Sequence, residues 1–61
     1  MTTSEFETAL RARGIETTVD ADDGLVMLLL SESEYRKGKK YDKIVSEIGW
    51  RRSWGRRVKR G

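Results

Sequence analysis

Cysteine, histidine and proline are all missing from this 61-residue chain, and apolar residues make up only 36% of it. Without cysteine there is no disulfide framework and no thiolate zinc site. Without histidine as well, Ser-His and Cys-His nucleophilic systems, imidazole general bases and the common zinc sites fall away. Long hydrophobic stretches are also lacking. The longest, Leu25-Val26-Met27-Leu28-Leu29-Leu30, is far short of the roughly 20 residues of a membrane-spanning helix. The amino terminus has neither the basic start nor the apolar stretch of a secretory leader. The expectation is a soluble, cytoplasmic protein that is not an enzyme and carries no cofactor or metal. Residues 1–61 make one small domain, which at this size buries only about 60% of its unfolded surface.

The apolar run organises the rest. Six residues is a strand's length, and a strand apolar at every position is expected to lie in the middle of a sheet with both faces covered. Ahead of it, Ser4-Glu5-Phe6-Glu7 has the spacing of a capping box. Phe6, Ala9, Leu10 and Arg13 continue at helical intervals to Gly14, which predicts a helix over 5–13. Ile15, Thr17 and Val19 then alternate with polar residues, so Ile15–Asp20 is expected to form a hairpin with Leu25–Leu30 across Asp22-Asp23-Gly24. Those acids lack the spacing of a calcium loop and have no glutamate at its twelfth position, which makes them a solvated turn.

After the run, Ser31 and Glu34 offer a second capping box. Tyr41, Ile44, Val45 and Ile48 recur at helical spacing before Gly49, predicting a helix over 40–48 that can extend back to residue 33. In the last segment Trp50, Trp54 and Val58 share a face, which suits a third strand with Gly55 as a bulge or bend. The fold class is α+β: a three-stranded sheet with two helices, in the order α-β-β-α-β. An alternative rests on Ile44-Val45-Ser46-Glu47-Ile48-Gly49-Trp50 and Ser53, which resemble the first helix and turn of a helix-turn-helix. That resemblance covers about a third of the chain. It departs at Gly55, where the second helix needs an apolar residue and glycine costs about 1 kcal/mol.

Charge is divided unevenly. Residues 1–34 sum to −6 and residues 35–61 to +9, for a net +3. Between Trp50 and the end, Arg51, Arg52, Arg56, Arg57, Lys59 and Arg60 lie among two tryptophans with no acid between them. Arginine binds phosphate with two parallel hydrogen bonds and stacks on bases, and aromatics set among cations are what nucleic acid strands favour. The candidate nucleic-acid site therefore comprises Arg36, Lys37, Lys39, Lys40, Arg51, Arg52, Trp54, Arg56, Arg57, Lys59 and Arg60, with DNA or RNA as partner. Six neutralised phosphates on duplex would give log affinity a slope near −5 against log salt. The same residues have plainer uses, since the indoles can be core, Trp50 more than Trp54, and the cations a solvated face. Tyr41 is expected inside and Tyr35 outside.

Gly38-Lys39 lacks the upstream glycine and following hydroxyl of a phosphate loop. The alternative function is a protein-interaction module: a small inhibitor, adaptor or self-associating subunit, of the kind phages and mobile elements encode. It would dock or dimerise through whichever face of Leu25–Leu30 the two short helices leave open. Attachment of the Arg/Trp tail to an anionic membrane ranks below both.

Overall fold

A computed structural model describes residues 1–20 and 24–60. Helix α1 spans Thr3–Ala12, beginning two residues ahead of the expected start. Its cap is Thr2, not Ser4. The Glu5 amide donates to Thr2 Oγ1 at 3.2 Å, and the Thr2 amide donates to Glu5 Oε1 at 3.0 Å. Both frames have the capping spacing. The earlier one adds the Phe6-to-Thr2 backbone bond and leaves Glu7 free to accept from Thr17 Oγ1 at 3.1 Å, tying the helix to the sheet. Ser4 instead lies inside the helix, where its carbonyl accepts from Thr8 Oγ1. Bonds from the Thr2 backbone and then its side chain hold the Glu5 carboxyl below its ordinary range. Gly14 takes the left-handed conformation, with φ at +78°, and turns the chain into the sheet.

Strand β1 (Glu16–Asp20) pairs antiparallel with β2 (Leu25–Leu30), Thr18 opposite Met27. Gly24 closes their connection at φ +64°, while Asp22 and Asp23 lie outside the described residues. The expected second helix is two helices, α2 (Glu32–Tyr35) and α3 (Gly38–Ile48). Only half of the second capping box forms. Ser31 Oγ accepts from the Glu34 amide, but the Glu34 carboxylate turns to Tyr41, Lys40 and Lys37 instead of back to Ser31. Helix α3 stops at Gly49, φ +90°.

Strand β3 (Trp54–Val58) runs parallel to β2, so the sheet order is β1-β2-β3 and the apolar run is central. This replaces the helix-turn-helix alternative, since the residues that would form its second helix are paired one by one with β2. Nor is Gly55 a bulge. It sits in unbroken register opposite Met27, and a Cβ there would stand 2.9 Å from Met27 Sδ, so glycine makes room for the methionine.

Helices α1 and α3 both pack on one face of the sheet. There Val26, Leu28 and Leu30 are buried with Phe6, Leu10, Ile15, Tyr41, Val45 and Trp50, and Ile44, Ile48 and Trp54 pack around them. The Phe6 and Trp50 rings stack at 4.4 Å and 2°. The expectation that both faces of β2 are covered is corrected. Leu25, Met27 and Leu29 point away from that core and are half-buried, because a pleated strand alternates its side chains and both long helices lie on the other side.

Candidate nucleic-acid interface

The parallel pairing of β2 with β3 determines which bases meet. Helix α2 begins two residues beyond the end of β2, and the end of β3 lies beside the end of β2, so Tyr35–Lys40 and Arg56–Arg60 arrive at the same end of the sheet. Two neighbouring concavities open there. One, of about 680 Å³, is lined by Leu29, Tyr35 and residues 56–60. The other, of about 800 Å³, is lined by Tyr35, residues 36–40, Asp42 and Arg56. Tyr35 and Arg56 belong to both.

These two residues hold each other. The Arg56 guanidinium donates to the Tyr35 carbonyl at 2.7 Å and lies over the Tyr35 ring at 5.1 Å. Gly38 has a reason in this packing, because a Cβ there would collide with the same guanidinium. The glycine that interrupts the basic segment leaves the room in which the Arg56 side chain reaches Tyr35. Tyr35 stays 38% exposed, the one exposed aromatic among the described residues.

Around this pair the cations differ in how far they are already neutralised. Arg36 is paired with Glu32 at 3.0 Å, Lys37 and Lys40 share Glu34 at 3.2 and 3.1 Å, and Lys59 reaches across the sheet to Glu16. Lys39, Arg57 and Arg60 have no carboxylate partner among the described residues. Exposed pairs of this kind are worth at most about 1 kcal/mol, so an arriving phosphate can compete for their cations. Glu34 is the most engaged acid. A 2.6 Å bond from the Tyr41 hydroxyl, followed by those from Lys40 and Lys37, holds its carboxyl down at about 2. Burial and the same carboxylate push Tyr41 up to about 12.

Of the eleven residues expected at the site, Arg36, Lys37, Lys39, Lys40, Arg56, Arg57, Lys59 and Arg60 come together here. The other three do not. Arg51 and Arg52 precede β3 at the far end of the sheet and line neither concavity; Arg52 lies over the Trp50 ring at 5.7 Å. Trp54 is half-buried against the core beside Val26 and is not an open platform. Trp50 is inside, as expected, with its indole N–H buried and without a hydrogen-bond partner among the described residues. The residue that sequence reasoning left out of the site is Tyr35. Its signal was present, an aromatic at the head of Arg36-Lys37-Gly38-Lys39-Lys40, but only the crossover brings Arg56 onto it.

No helix among the described residues is long and apolar enough to cross a membrane. No protein-family model, curated protein or solved structure matches this chain.

Proposed function

We propose that this protein binds nucleic acid, without catalysing a reaction, through the basic surface around Tyr35 and Arg56. One observation carries the reading: cationic segments some twenty residues apart in sequence share two adjoining concavities with an exposed aromatic ring between them. A patch that served solubility alone would need neither the concavity nor the ring. Ion pairing lowers the expected electrostatic term. If only Lys39, Arg56, Arg57 and Arg60 neutralise phosphates, the slope of log affinity against log salt is about −3 for single strands and −4 for duplex, shallower than −5. For single strands that is roughly a 50-fold loss of affinity between 50 and 200 mM salt. Anisotropy titrations of labelled RNA, single-stranded DNA and duplex over that range test it. Absence of binding at 50 mM salt rejects it.

A second reading is favoured by the open sheet face, where Leu25, Met27 and Leu29 form a row that neither α1 nor α3 covers. Self-association through that row would be insensitive to salt and abolished by Met27→Lys. Sedimentation velocity at several concentrations reads both properties, and a monomer at every concentration removes this alternative.

A further inference from the structure

We propose that Tyr35 is a stacking seat for one unpaired base, and hence that the ligand of the basic surface is single-stranded; this rests on the nucleic-acid reading above. The ring is prepared for that task. Arg56 lies on it, and the guanidinium is itself fixed by the Tyr35 carbonyl and by the space that Gly38 leaves. A cation held against an aromatic ring needs no reordering when a base arrives, so the entropic cost of building the seat is met on folding. Tyr35 is 38% exposed and lines both concavities, so it is reachable from either.

Charge on either side fits a strand laid across that junction. Arg57 and Arg60 line one concavity, Lys37 and Lys39 the other, so phosphates before and after a seated base would both meet cations. Asp42, the one acid lining either concavity among the described residues, sits on the α3 side and disfavours phosphate at that point. A duplex cannot use the ring, because its bases are stacked on one another and only their edges face the grooves. It would gain the phosphate contacts alone.

The test uses the intact protein and fluorescently labelled oligonucleotides of equal length: dT, rU, an abasic strand and a duplex, each at low and moderate salt. Wild type is expected to bind dT or rU more tightly than the abasic strand. Tyr35→Ala should weaken dT and rU on the order of tenfold while leaving the salt slope and abasic binding unchanged, and Tyr35→Trp should restore them. Tyr35 is exposed at the end of a four-residue helix, and a thermal melt confirms that each variant is folded. In Tyr35→Trp, ligand should also perturb the new indole's fluorescence. Equal binding of dT and abasic strands by wild type, or full dT affinity in folded Tyr35→Ala, overturns the stacking seat and leaves the basic surface standing. If wild type binds none of the four strands at low salt, the basic surface itself is refuted and the seat with it.

Discussion

Two arginines lie over two aromatic rings at opposite ends of this small sheet, and the outcomes are opposite. At one end Arg52 covers Trp50, whose indole stacks on Phe6 and is 7% exposed. That ring is closed on both sides and belongs to the core. At the other end Arg56 lies over Tyr35, which is 38% exposed and outside the core cluster. The same pairing of cation and ring is buried in one place and left partly open in the other. What separates them is whether an apolar layer lies beneath.

The widest gap between the two ends should appear in stability. Phe6→Ala removes the partner of Trp50 from a fully buried site and is expected to cost about 3–5 kcal/mol. A domain of this size has roughly 3–9 kcal/mol in total, so the loss is about a third of it or more and urea unfolding should show the midpoint lowered in proportion. Tyr35→Ala, with its ring exposed, should cost under about 1 kcal/mol. Comparable losses from both would erase the distinction.

Binding should separate the ends next. Arg57→Ala with Arg60→Ala is expected to reduce the single-strand salt slope by about 1.4, whereas Arg51→Ala with Arg52→Ala should leave it nearly as it was. Equal effects from the two double variants would mean that the field is diffuse and not gathered at the Tyr35 end.

Acid supplies a smaller effect. The Glu34 carboxyl is depressed in the folded protein, so the stability it contributes is present above its ordinary value of 4.5 and is lost as pH falls toward about 2. Thermal melts of wild type should therefore fall across that window. Glu34→Gln should melt lower at neutral pH and change less between pH 4.5 and 2. Tyr41 runs the other way: its folded value is raised, so its contribution is full below pH 10 and declines toward pH 12.

The subtlest test is Gly38→Ala. The added methyl meets only the terminal guanidinium of Arg56, so stability should change by less than about 1 kcal/mol while that group is displaced from Tyr35. Single-strand affinity should then drop more than stability does. Unchanged affinity would show that the tyrosine works without its arginine.

Much of the architecture could be read from local pattern. The apolar run, the hairpin glycine, the helical spacing of Tyr41, Val45 and Ile48, and the α+β order all reflect the repeat of a strand or a helix written directly in side-chain polarity. Misreadings arose where two local solutions were equally good. Thr2 and Ser4 each begin a capping box, and the Phe6-to-Thr2 backbone bond together with Glu7's engagement with Thr17 separates them. Gly55 has the signature of a bulge, yet its purpose lies on the neighbouring strand, in the volume of Met27. Most site cations were also legible as charge, but which of them are spent on carboxylates was not.

By itself the sequence determined that a basic second half would follow an apolar strand, because charge and hydrophobicity are properties of single residues. Only the tertiary structure decided that Tyr35 and Arg56 would meet, that Trp54 would turn inward, and that Arg51 and Arg52 would be carried to the far end. The parallel crossover itself follows from the β-α-β order, but those outcomes depend on its register, which sets residues far apart along the chain opposite one another and so leaves no local trace.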